Sequence, residues 1–148
     1  MAQALLILLS LVCGVLLAVQ VGANTQLRNA VGSPVMSALI SFAVGVVALT
    51  AYALISRARF PTLSTLSHIP LWQWTGGLMG ASYILATIIV GPRLGATTML
   101  SLVVAGQMVA AIILDHFGLL GFAQHAANVW RLIGTVLLIA GTVLILHN

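Results

Sequence analysis

Five apolar runs, each close to twenty residues long, fill most of this chain, at about 4–22, 35–55, 72–90, 94–114 and 130–146. About 20 apolar residues in a helix cross the hydrocarbon core of a bilayer. Inside lipid a backbone must satisfy its own polar groups, which helices do within one segment. Each run is therefore expected to be a membrane-spanning helix. Of the 148 residues, 61% are hydrophobic and 4% are charged, whereas a soluble domain carries about 25% charged residues. So few charges cannot build a water-facing surface. The expectation is an all-α integral membrane protein, with residues 1–148 forming a single transmembrane domain. Val21-Gly22-Ala23 has the look of a signal-peptide cleavage site, but MAQALL carries no Lys or Arg and the first run is long, so this run is expected to be a retained span.

The net charge of +4 comes from five arginines, Arg28, Arg57, Arg59, Arg93 and Arg131, set against one acid, Asp115. They stand singly or in a close pair between apolar runs and form no basic patch interleaved with aromatics, so nucleic acid is not an expected partner. Their place between spans is the membrane surface. Three of them, Arg57, Arg59 and Arg131, fall on the side of the N-terminus and two on the other, which favours an N-terminus inside the cell. Cys13 is the one cysteine, which excludes an intrachain disulfide. The chain has no nucleophile–base set, paired carboxylates, phosphate loop or HExxH motif, so no catalytic residue and no cofactor is expected.

Polar residues inside the runs carry what functional signal there is. Gln20 and Asn24 are four apart and share a helical face if the first helix continues that far. They read either as interfacial residues at a helix end or as the lining of a cavity between helices. Gly32-Ser33-Pro34 marks a break and restart, with Ser33 suited to cap the second helix and Pro34 to its first turn. The segment from Phe60 to Pro70 is expected to lie along the membrane surface, and Trp72 and Trp74 to sit at headgroup level. Gly76 and Gly80 form a GxxxG pair that permits close helix approach, and Tyr83 and Thr87 continue that stripe. Tyr83 reads either as part of a packing seam or as pointing into a cavity. Gly91-Pro92-Arg93 reads as a tight turn before the fourth span. Midway along that span, Gln107 bears an amide that hydrocarbon cannot satisfy, so it is expected to be buried. In the fifth span, Gly134 and Gly141, and Thr135 and Thr142, repeat at seven as a packing stripe.

Asp115 ends the fourth span, where the helix dipole disfavours an anion, and Arg131 begins the fifth, where it disfavours a cation. Each would relieve the other. Three roles stay open for Asp115: an ion pair with Arg131, a plain interfacial acid, or ion coupling. Asp115, His116 and His125 match no zinc spacing, so no metal site is expected.

The stretches GANTQLRN, WQWTGGLMG, GPRLGATTMLSLVVAGQ, LDHFGLLG and RLIGTVLLIAGTVLIL, taken together, resemble the YdcZ-type family of small five-helix proteins in the drug/metabolite transporter superfamily. The resemblance covers nearly the whole chain. It implies a multi-pass protein of the inner membrane, with a fold that is half of an inverted-repeat transporter. Asp115 stands where the larger ten-helix members close their fourth helix with an acid. The small multidrug-resistance relatives carry a proton-exchanging Glu in the first helix, whereas here Gln20 and Asn24 are the nearest polar groups and are neutral. That departure argues against proton-coupled efflux of cations.

The expected function is that of a transporter component for a small neutral, zwitterionic or weakly polar solute, with Gln20, Asn24, Tyr83 and Gln107 along the pathway. The expected partners are the lipid bilayer, the solute, and a second five-helix chain, identical or similar, inserted upside down to complete the inverted pair. The alternative is a non-transporting assembly or regulatory membrane subunit.

Overall fold

A computed structural model describes residues 2–147. Among the described residues every regular element is helical: α1 (Ala2–Val31), α2 (Pro34–Ile55), α3 (Leu63–Ser67), α4 (Thr75–Leu94), α5 (Ala96–Phe117) and α6 (Val129–Leu146). Five of these, all but α3, are long and apolar enough to cross a membrane. Their large apolar side chains are mostly exposed, among them Leu5, Val47, Leu78, Leu102 and Leu144. Such a surface is stable against lipid and unstable against water. The chain divides into two compact units, one ending at Arg93 and the other beginning at Leu94.

In the first unit α1 runs for 30 residues, about 45 Å at 1.5 Å per residue. It continues nine residues beyond the expected span end at Gly22. Gln20 through Asn29 are tolerated in a helix, and nothing breaks it before Gly32. Gly32 takes a left-handed φ of 72° and its N–H closes on the Arg28 carbonyl at 2.8 Å, a glycine helix stop. Ser33 then caps α2, its hydroxyl accepting from the Met36 N–H at 3.3 Å, with Pro34 at the first position. The Ser37 hydroxyl, fully buried, donates to the Asn24 carbonyl at 2.8 Å and ties α2 to α1.

α2 ends at Ile55 with Ser56 as its cap, and Arg57 follows at a left-handed φ of 52°. The short α3 is capped by Thr62 and exposed on most of its surface. A 3-10 turn, Leu71–Trp74, leads into α4. The GxxxG pair is no tight seam: a Cβ at Gly80 would sit 3.9 Å from the Phe42 ring, an ordinary contact, and one at Gly76 would meet nothing. The expected turn at Gly91-Pro92-Arg93 is also absent, because α4 continues through Pro92 to Leu94 and the break falls at Gly95, at a φ of 80°.

In the second unit α5 and α6 pack together. The threonines of the seven-residue stripe make that seam, both being buried. Thr142 donates to the Ser101 carbonyl of α5 at 3.2 Å, and Thr135 to the Arg131 carbonyl of its own helix at 2.9 Å. Gly134 and Gly141 face open space, so the threonines rather than the glycines set the contact. Gly118, at a φ of 60°, ends α5, and Asn128 caps α6 by accepting from the Arg131 N–H at 2.9 Å.

Candidate functional site

The polar residues of the first unit gather on the second half of α1. Gln20, Asn24 and Arg28 recur every four residues and so lie along one face. Their environments differ. Gln20 is exposed and lines a groove of about 220 Å³ with Ser41, Phe42, Gly45 and Ile84. Asn24 is 4% exposed, and its Nδ2 is buried with no hydrogen-bond partner. A buried donor left unpaired costs roughly 1–3 kcal/mol. Tyr83 is half-buried. Among the described residues the side chains of Gln20 and Tyr83 make no hydrogen bond.

Arg28 does something the sequence reading did not assign to it. Pro92 lacks the N–H that would serve the Ile88 carbonyl four residues earlier in α4. The Nη1 of Arg28 donates to that carbonyl at 3.2 Å, and Ile88 is completely buried. A guanidinium from α1 thus supplies a donor that proline withholds within α4. The sequence carries the signal in two parts: the four-residue recurrence of Gln20, Asn24 and Arg28, and a proline at the end of an apolar run long enough to continue as helix. Taking Pro92 as a loop residue hid the second.

Gln107 belongs to the second unit and is exposed in the single chain. No side chain of the described residues pairs with its amide. Its neighbours one turn away on α5, Val103, Val104, Ala110 and Ala111, have no hydrogen-bonding side chain. Asp115 lies in the last turn of α5 and Arg131 in the first turn of α6. The Arg131 Nη1 donates to Asp115 Oδ2 at 3.3 Å, and both side chains stay about one-third exposed. The same Nη1 donates to the His125 carbonyl at 3.3 Å. The His125 N–H in turn donates to the Asp115 carbonyl at 2.7 Å. Below this pair opens a groove of about 430 Å³ between α5 and α6, lined by Met108, Ala111, Ile112 and Thr135. Among the described residues no three His, Cys, Asp or Glu side chains are grouped so as to hold a metal.

Among the described residues, the first unit presents the amides of Gln20 and Asn24 with the half-buried Arg28, and the second unit presents Gln107 and the Asp115–Arg131 pair. A comparison with protein families matches residues 5–144 to the family described as "Putative inner membrane exporter, YdcZ". No curated protein and no solved structure matches the chain.

Proposed function

The chain belongs to the YdcZ family, and from that premise we propose that it carries a small solute across the inner membrane as one half of an inverted-repeat transporter. Membership is consistent with a multi-pass protein of the inner membrane and supports a transporter more than an enzyme. The finer reading is that two copies, or this chain and a similar one, assemble antiparallel into ten spans. Gln20, Asn24, Tyr83 and Gln107 then line the pathway, and Asp115 with Arg131 either fixes α5 to α6 or couples ion movement. As in the expectation from sequence, the solute is neutral, zwitterionic or weakly polar.

One observation carries this reading. The amides of Gln20, Asn24 and Gln107 have no hydrogen-bond partner among the described residues. In hydrocarbon each unsatisfied polar group costs several kcal/mol. A partner chain or a solute is what relieves that cost. The arginine bias of three against two is weak enough to permit both insertions of one sequence.

Flux tested with the purified protein alone in liposomes, together with reporter fusions at both termini, decides the matter. Transport accompanied by reporter signal on both sides of the membrane is the expected result. A single orientation with an active monomer would remove the antiparallel pair. Absence of flux for every solute class tried would favour an assembly or regulatory subunit.

A further inference from the structure

We propose that Arg28 and Asn24 together form an oxyanion site, so that the molecule held in the first unit carries a carboxylate or phosphate group. The proposal rests on the transport reading and revises its solute class: of the solutes named there it keeps only those with an anionic group, and it adds anions to them. Four observations converge on it. The two residues are one helical turn apart on the same face of α1. The Asn24 Nδ2 is a buried donor without a partner, in a residue that is 4% exposed. Arg28 is half-buried, and the one acceptor it has is the neutral carbonyl of Ile88. The single acid of the chain, Asp115, belongs to the other unit and pairs with Arg131.

The first unit therefore holds a partly desolvated positive charge and a spare amide donor, with no carboxylate to answer them. A cation would meet net repulsion there. A neutral carbonyl could take one N–H but would leave the charge unopposed. An oxyanion answers both needs: its two oxygens match the planar fork of the guanidinium, which keeps four of its five N–H groups after serving Ile88. The dipole at the C-terminal end of α1 offsets part of the Arg28 charge, yet it supplies no paired acceptors for that fork. The groove at Gln20, with Phe42 and Ile84 in its wall, lies two turns back on the same helix face. It offers an apolar surface to the remainder of such a molecule.

The source of the oxyanion is either a small solute or the phosphate of a lipid headgroup, and the test separates them. The full chain is purified in an uncharged detergent, and its melting temperature is followed with benzoate, with its neutral isostere benzamide, with inorganic phosphate and with phosphatidylglycerol. The variants are Arg28→Gln, Asn24→Leu and, as a control at an exposed arginine, Arg59→Gln. Benzoate or phosphate should raise the melting temperature of the wild type and of Arg59→Gln. Arg28→Gln should lower the apparent affinity about tenfold or more, the scale of one lost charge-assisted hydrogen bond, and Asn24→Leu should lower it by less. If Arg28→Gln fails to fold, Arg28→Gln with Pro92→Ala replaces it, because the alanine amide then serves the Ile88 carbonyl. A response to phosphatidylglycerol alone, lost in Arg28→Gln, supports the site and assigns it to a lipid headgroup. Binding of benzoate that is undiminished in Arg28→Gln, or no response to any of the three oxyanions, overturns the proposal. The melting-temperature shifts report binding without transport, and protein-dependent flux above that of protein-free liposomes reports transport, so either reading can fail while the other stands.

Discussion

Replacing Pro92 with alanine should make Arg28 dispensable for stability. The reasoning starts from a carbonyl. Ile88 is completely buried, the residue four positions later is a proline within α4, and the nitrogen that reaches the Ile88 oxygen is Arg28 Nη1 at 3.2 Å. A hydrogen bond from a charged donor contributes about 1.5–3 kcal/mol, and a buried carbonyl stripped of its donor costs a similar amount. Arg28→Met keeps much of the apolar stem and removes every N–H, so it should destabilise the wild type by about 1.5–3 kcal/mol. In the Pro92→Ala background residue 92 has its own N–H to offer the Ile88 carbonyl. There the same Arg28→Met change should cost less than about 0.5 kcal/mol, the level within which independent sites add. Pro92→Ala alone should be neutral or stabilising, since it removes a ring clash that costs about 3 kcal/mol in a helix interior and less this close to the end of α4.

The assay is equilibrium unfolding of the four proteins in mixed micelles, read by far-ultraviolet circular dichroism. The coupling between the two positions should lie at about 1–2.5 kcal/mol, the difference between the two costs above. Equal costs of Arg28→Met in the two backgrounds would refute the reasoning, because Arg28 would then act through something other than the carbonyl that Pro92 leaves without an N–H. An effect of Arg28→Met below about 0.5 kcal/mol in the wild type would refute it as well.

Three further outcomes are expected. Asp115→Asn and Arg131→Gln should each lower thermal stability by about 0.5–1 kcal/mol, as a partly exposed pair allows, and Asp115→Arg combined with Arg131→Asp should recover part of the loss. Unequal losses, or no recovery, would show that the 3.3 Å contact does not hold α5 to α6. Ser37→Ala should cost about 1 kcal/mol in the same unfolding assay, through the buried bond to the Asn24 carbonyl, and a change near zero would show that the α1–α2 contact does not depend on it. Gln107→Leu should leave membrane insertion unchanged and abolish flux in liposomes; undiminished flux would assign Gln107 to packing.

Length and polarity made the five spans legible. Apolar runs near 20 residues have no other stable solution in this composition, and the start of α2 follows from the local chemistry of Ser33-Pro34. The ends that differ are those where a single residue type carries two meanings. The polar stretch from Gln20 to Asn29 reads as an interface, yet its residues continue a helix without strain. Pro92 reads as a break, yet near a helix end it requires only that one carbonyl find another donor. The donor comes from Arg28, 60 positions away from Ile88, a separation no periodicity reports. The exposure of Gln107 was illegible for the opposite reason. With apolar residues one turn to either side of it on α5, nothing in the local pattern says whether its face meets protein.

The buried polar residues make the closing argument. Five are described as buried: Asn24, Ser37, Thr87, Thr135 and Thr142. Four of them satisfy their hydroxyls on carbonyls at 2.8–3.2 Å, either within their own helix or across to a neighbour. Their polarity is consumed by the fold, and they need nothing from outside. Asn24 alone leaves its amide donor unmatched. Stability by itself favours an apolar side chain at that position, since a leucine there would bury more hydrocarbon and leave no group unpaired. The amide therefore opposes the fold that contains it. That donor stands one turn along α1 from Arg28, whose guanidinium bonds the neutral Ile88 carbonyl, as the oxyanion proposal requires. The same physical test, a polar atom that the surrounding structure leaves unanswered, separates Asn24 from the residues that only build helices.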